Sequence, residues 1–135
     1  MSNLTGKTIL VTGATSGIGN AIANKLKESG GNVIGVSRRK KDIDNFDGKC
    51  VVIELTDEEQ VKEELAKMEK PDILINCAGF AIDEKELIET TTEEWNMMID
   101  CNLKSMYLLT RELVPHMKEN NYGVIVNMSS IFHKG

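Results

Sequence analysis

The stretch Thr12-Gly13-Ala14-Thr15-Ser16-Gly17-Ile18-Gly19 constrains this chain more than any other. It follows the apolar run Ile9-Leu10-Val11 and opens straight into Ile18 to Lys27, whose pattern predicts a helix. A buried strand that turns sharply into a helix leaves the first helical N–H groups without internal partners, and these donors, with the helix dipole, favour an anion. A pyrophosphate fits such a cradle. Gly13 permits the tight turn, while Gly17 and Gly19 remove Cβ atoms that would keep phosphate or strand from the helix. The spacing is G-x-x-x-G-x-G rather than G-x-G-x-x-G, and an ordinary strand-to-helix turn uses glycines in a similar way.

The rest of the chain alternates short β-rich runs with helical patterns, which predicts an α/β fold: a Rossmann-like, doubly wound parallel sheet with helices on both faces. Strands are expected near Thr8 to Thr12, Asn32 to Ser37, Lys49 to Leu55, Asp72 to Cys77 and Gly123 to Met128, five in the order 3-2-1-4-5. Runs such as Ile73-Leu74-Ile75 and Val124-Ile125-Val126 suit strands buried on both faces. The first helix should stop at Ser29-Gly30-Gly31, and a second should start at Thr56 with Glu59 three residues on, a capping-box pattern. A single long helix is expected from Thr91 or Thr92 to Glu119, with Trp95, Met98, Ile99, Asn102, Met106, Leu109, Leu113 and Met117 on one stripe and a kink near Pro115. Only Arg38 to Gly48 joins the second and third strands, room for a turn or so of helix.

At 135 residues the chain is read as one dinucleotide-binding domain, residues 1–135, incomplete at its C-terminus because nothing follows to cover the fifth strand. A net charge of −5 gives no global attraction to nucleic acid or anionic membrane, and no apolar run approaches the roughly 20 residues of a membrane helix. Cys50, Cys77 and Cys101 are odd in number and lack C-x-x-C spacing, so with no signal peptide the expectation is a cytoplasmic protein with reduced thiols. No metal site is expected: His116 and His133 have no ligand spacing.

The end of the second strand is where an open dinucleotide-binding sheet meets the adenosine ribose. It carries Ser37 and Arg38, with Arg39 a weaker candidate for the same contact. A guanidinium without a carboxylate at that position favours a 2′-phosphate, hence NADP over NAD; a solvated charge run is the alternative, and suits Lys40 and Lys41. Asn76-Cys77-Ala78-Gly79 ends the fourth strand, where small residues let backbone approach a cofactor, or simply make a turn. Asn102 lies on an apolar stripe, so its amide should have a partner: either it ties the helix to neighbouring backbone or it serves the chemistry. Ser129 and Ser130 follow the fifth strand at the ligand-binding edge, where a serine can donate to a carbonyl or form a turn.

Taken together, the Thr12 to Gly19 motif, Asn76-Cys77-Ala78-Gly79, Asn102 and Ile125-Val126-Asn127-Met128-Ser129-Ser130 closely resemble the short-chain dehydrogenase/reductase family. Thr90 to Leu109, with its Thr-x-x-x-Trp opening and Asn-Leu-Lys-Ser core, resembles that family's long interface helix. The resemblance implies hydride transfer between NADP(H) and a small carbonyl or alcohol substrate, in a homo-oligomer. Gly13, Thr15, Ser16, Gly17, Ile18 and Gly19 would hold the cofactor with Ser37, Arg38, Arg39, Asn76, Ala78 and Gly79. Glu54 falls where an aspartate meets the adenine amino group, and Leu55 supplies neighbouring backbone. In the family a tyrosine is the acid/base, a lysine four residues later lowers its pKa, a serine orients the carbonyl and an asparagine holds a relay water. Ser130 matches the serine, with Ser129 the choice if the register slips by one, and Asn102 matches the asparagine.

Three positions depart from the family pattern. Cys77 replaces an asparagine, Glu54 replaces an aspartate, and no Tyr-x-x-x-Lys occurs: Tyr107 is followed by Arg111 and Tyr122 by Val126. The family's pair would lie beyond Ser130, past the last residue. Since a positioned proton donor is worth a factor of about 10² to 10⁴, the chain alone is expected to be nearly inactive. It reads as the cofactor-binding part of an NADP-dependent oxidoreductase. The alternatives are a non-catalytic nucleotide-binding or oligomerising module, in which Ser130 and Asn102 are relics, and an interaction protein without cofactor.

Overall fold

The computed structural model describes residues 3–130. Five parallel strands form one sheet in the order β3-β2-β1-β4-β5: β1 Thr8–Thr12, β2 Asn32–Ser37, β3 Lys49–Val52, β4 Ile73–Asn76 and β5 Val124–Asn127. The expected order and all five strands are present. The last three are shorter than the spans expected for them. At the end of β3 the chain leaves the sheet in a turn, where the Asp57 N–H donates to the Glu54 carbonyl at 3.0 Å. His133 lies outside the described residues.

Side-chain alternation sorts the core into two layers. Ile9, Val11, Val33, Ile73 and Ile75 face helix α1 (Gly17–Glu28) and Ala23, while Leu10, Ile34, Val36, Ile53 and Leu74 face α2 (Glu58–Lys67) and the last helix. That helix, α4 (Ser105–Glu119), buries Leu108, Leu109, Leu113 and Met117. Helices therefore cover both faces of a parallel sheet whose inner strands are buried, as the continuous apolar runs require. Helix α1 ends as expected: Gly30 adopts φ +87°, its N–H donates to Lys27 at 2.9 Å, and the Gly31 N–H donates to Leu26 at 3.1 Å. A six-residue 3₁₀ turn, Lys40–Asn45, makes the short crossover from β2 to β3.

Two helix expectations are corrected. The N-cap of α2 is Asp57, whose carboxylate accepts from the Gln60 N–H at 3.1 Å; Thr56 instead donates its hydroxyl to Glu54 Oε1 at 3.0 Å. The long helix expected to Glu119 is helical throughout but not α-helical throughout: α3 (Thr92–Ile99) passes into α4 through a π-helical turn at Asp100–Lys104. The Thr91 start holds, with its reciprocal Glu94 capping box. Leu109, Leu113 and Met117 are buried by α4, whereas α3 buries none of its residues, and Trp95 is 54% and Ile99 37% exposed. The helix continues through Pro115 to Glu119. β5 forms the sheet edge, with Val124 and Val126 partly open to solvent. No helix among the described residues is long and apolar enough to cross a membrane.

Candidate dinucleotide site

The carboxyl ends of the strands open into a cleft of about 860 Å³. Its floor is the loop after β1. Thr12 Oγ1 accepts from the backbone N–H groups of Cys77 at 3.0 Å and Ala78 at 2.9 Å, which locks the exits of β1 and β4 together. Asn20 Nδ2 donates to the Ala14 carbonyl at 3.0 Å and ties the loop to the first turns of α1.

The three glycines of this loop differ in what they permit. Gly13 has φ +64°, and a Cβ on it would stand 3.0 Å from Ala78 Cα. A Cβ on Gly19 would fall 2.1 Å from the Gly13 carbonyl oxygen, so the helix can approach the loop only because that atom is missing. Gly17 adopts φ +53°, and a Cβ on it would meet no protein atom, so the approach of a strand is not what requires glycine there. The N-cap residue Ser16 makes no side-chain capping bond, and the first turn of α1 carries no acid. The positive end of the helix dipole therefore faces the cleft without a protein anion to satisfy it.

Gly13, Thr15, Ser16, Gly17, Ile18, Gly19, Ser37, Arg38, Arg39, Glu54, Leu55, Ala78, Gly79, Asn102, Ser129 and Ser130 all line this one cleft. Asn76 does not. It is buried, and its Nδ2 donates to Asn127 Oδ1 at 2.8 Å, so its amide joins β4 to β5. Glu54 Oε1 accepts the Thr56 hydroxyl, an internal partner for the carboxylate expected to meet adenine. Ser37 is buried; its hydroxyl donates to the Arg39 carbonyl at 3.1 Å and accepts from the Arg39 N–H at 3.2 Å.

Asn102 sits within the π turn and takes the partner expected of a half-buried amide. Its Oδ1 accepts from the Phe80 N–H at 2.8 Å and its Nδ2 donates to the Phe80 carbonyl at 2.7 Å. The π turn frees the Cys101 carbonyl, which the Ser105 hydroxyl satisfies at 2.7 Å. A Cβ on Gly79 would come within 3.2 Å of Asn102 Oδ1, so Gly79 is tied to this pairing.

Sequence reasoning missed several residues of the cleft, among them Asp42, Thr56, Phe80, Ala81, Cys101, Met106 and Met128. Phe80 and Ala81 simply continue the Gly79 motif, and Met106 lies one helical turn beyond Asn102. Asp42 overturns the reading that no carboxylate stands near the second strand's end: the 3₁₀ turn brings it back to Arg39, whose Nε donates to Asp42 Oδ2 at 2.5 Å. Burial pushes the thiols of Cys77 and Cys101 up from the ordinary value; at Cys101 the Arg38 charge opposes that rise. All three cysteines are free thiols, and no cluster of three metal-ligating side chains occurs among the described residues.

The sequence pattern of the family described as short chain dehydrogenase matches residues 7–134. The chain is 39% identical to a 3-oxoacyl-(acyl-carrier-protein) reductase of Rickettsia conorii, over 97% of this chain and 56% of that protein. It is 35% identical to a probable NADP-dependent dehydrogenase of Haemophilus influenzae, over 92% of this chain and 53% of that one. Among solved structures, serine dehydrogenase from Escherichia coli superposes with a TM-score of 0.86 at 30% identity, covering 95% of this chain and 64% of that one. A closed form of serine dehydrogenase complexed with NADP+ gives 0.87 at 30% identity, covering 95% and 55%. The chain thus spans little more than half the length of the curated relatives it matches.

Proposed function

The chain belongs to the short-chain dehydrogenase family, and from that premise we propose that it is the cofactor-binding part of an oxidoreductase acting between NADP(H) and a small carbonyl or alcohol substrate. The observation that carries this reading is the approach of Gly19 to the Gly13 carbonyl, which sets an uncapped helix N-terminus against the cleft floor. In this reading Gly13 to Gly19 hold the pyrophosphate, Ser37 and Arg38 meet the adenosine ribose, Leu55 borders the adenine, and Ala78 and Gly79 border the nicotinamide side. When bound, the nicotinamide supplies a hydride to the carbonyl carbon as a proton reaches the oxygen, or the reverse with an alcohol. Ser130 hydrogen-bonds the substrate oxygen. Asn102, its amide spent on Phe80, is a positioning residue that fixes the wall beside Gly79.

NADP is favoured over NAD because Arg38 is exposed at the cleft, where its guanidinium suits a 2′-phosphate. The similarity to an NADP+ complex and to a probable NADP-dependent dehydrogenase agrees with that choice. A cytoplasmic setting suits the three free thiols. Self-association suits the exposed Trp95, Leu103 and Tyr107 along the α3–α4 edge.

The test is binding, because the expected tyrosine–lysine pair is not in this sequence. Titration of the chain with NADPH and NADH, followed by nicotinamide fluorescence, should show tighter NADPH binding. Arg38→Met should reduce that preference. Binding of neither nucleotide would defeat the reading.

A further inference from the structure

Resting on that reading, we propose that Asp42 is a specificity-determining residue of the cleft: its carboxylate withholds Arg39 from a cofactor 2′-phosphate and so moderates the preference for NADP. Arg39 Nε donates to Asp42 Oδ2 at 2.5 Å, and both side chains line the same cleft as Arg38. The carboxylate is the fixed partner. Asp42 is 16% exposed against 61% for Arg39, and its own N–H donates to the Arg39 carbonyl at 3.1 Å. Ser37 Oγ grips the Arg39 backbone at 3.1 and 3.2 Å, so the start of the turn that presents this pair is fixed.

The two guanidiniums at the end of β2 are therefore unequal. Arg38 has no ion-pair partner among the described residues, whereas the charge of Arg39 is neutralised in place by Asp42. An arriving 2′-phosphate finds one uncommitted guanidinium and, beside the second, a carboxylate that repels it. NADH carries a 2′-hydroxyl in that place and is indifferent to the repulsion. Asp42 thus acts on one cofactor only.

The experiment compares wild type, Asp42→Asn and Asp42→Ser by fluorescence titration with NADPH and NADH. Adenosine 2′,5′-bisphosphate and 5′-AMP are scored beside them by the rise in Tm they produce. Removing the carboxylate should tighten NADPH binding about 2- to 5-fold, the scale of one exposed ion pair, and leave NADH unchanged. The gain should shrink when Arg39→Met is added to Asp42→Asn, leaving only the relief of direct repulsion. An unchanged or lowered NADPH-to-NADH affinity ratio in a folded variant overturns the inference, because Asp42 would then orient Arg39 rather than withhold it. A ratio that rises only because NADH weakens overturns it as well. If wild type binds neither nucleotide, the reading beneath it falls too.

Discussion

Asn102 and Phe80 are joined by two hydrogen bonds, side-chain oxygen to backbone N–H at 2.8 Å and side-chain amide to backbone carbonyl at 2.7 Å. One amide satisfies both polar groups of a residue 22 positions away. Asn102→Ala strands both Phe80 groups in a half-buried wall, so about 1–3 kcal/mol of stability should be lost in urea unfolding. Asn102→Asp should also destabilise, since a carboxylate can accept from the N–H but only repels the carbonyl. A loss no larger than that of an exposed neighbour such as Asn96→Ala would show that the pairing contributes nothing.

The loop glycines should separate by mechanism. Gly17→Ala meets no protein atom, and its cost to folding is that of its left-handed backbone, roughly 1–2 kcal/mol. Gly19→Ala places a methyl 2.1 Å from a backbone oxygen and must push α1 off the loop. NADPH binding should therefore survive Gly17→Ala in part and be abolished by Gly19→Ala, with Tm measured on both. Equal binding by the two variants would contradict the geometry.

The sequence makes β1 and β2 legible because each is an apolar run bounded by turn residues, and burial on both faces leaves no competing pattern. The π turn is not legible. One added residue leaves the apolar spacing on either side intact, so Trp95 and Leu109 read as one stripe although the first is exposed and the second buried. The glycine loop and its neighbours were legible as a site because strand-to-helix turns are local. The partners of Asn76 and Asn102 depend on which segments fold against them, and that of Arg39 on the 3₁₀ turn that the short β2–β3 crossover adopts. Asn76 therefore turns out to bond Asn127, 51 residues away, and Asp42 enters the cleft unannounced.

The core face of α4 gives a clean contrast. Leu109 is fully buried between the sheet and α2, and Leu109→Ala should cost about 2–5 kcal/mol. Trp95, on the same expected stripe, is 54% exposed, and Trp95→Ala should cost far less in the same urea titration. Comparable losses would show that Trp95 is packed as closely as Leu109, against the exposure seen here.

Thiol chemistry reads the cleft independently. Burial raises the pKa of Cys50, Cys77 and Cys101, so all three hold less thiolate at neutral pH than a free cysteine and should alkylate slowly, faster as pH rises. Cys77 and Cys101 line the cleft and Cys50 does not. Bound NADPH should therefore slow iodoacetamide labelling at the first two, by site-resolved mass spectrometry, and leave Cys50 unchanged. Equal protection of all three would indicate global tightening rather than occupancy.

Glu58 links α2 to α4, and its effect on stability should depend on pH in a defined direction. Lys62 Nζ lies 2.9 Å from Glu58 Oε1, and Arg111 Nη2 donates to the same oxygen at 2.6 Å. The Lys62 hydrogen bond, then that of Arg111, lowers the Glu58 carboxyl from 4.5 to about 2. A carboxyl depressed on folding contributes stability that is fully present above its unfolded value and lost as pH falls through the folded one. The window is therefore from pH 4.5 down to about 2. Glu58 is exposed, so solvent and salt screen the pair and the contribution is small. Glu58→Gln should melt slightly below wild type at pH 6, and the gap should close across that window and also in 1 M salt, where the Debye length falls to about 3 Å. A gap that persists unchanged through both would mean that Glu58 acts through packing on Arg111 rather than through its charge.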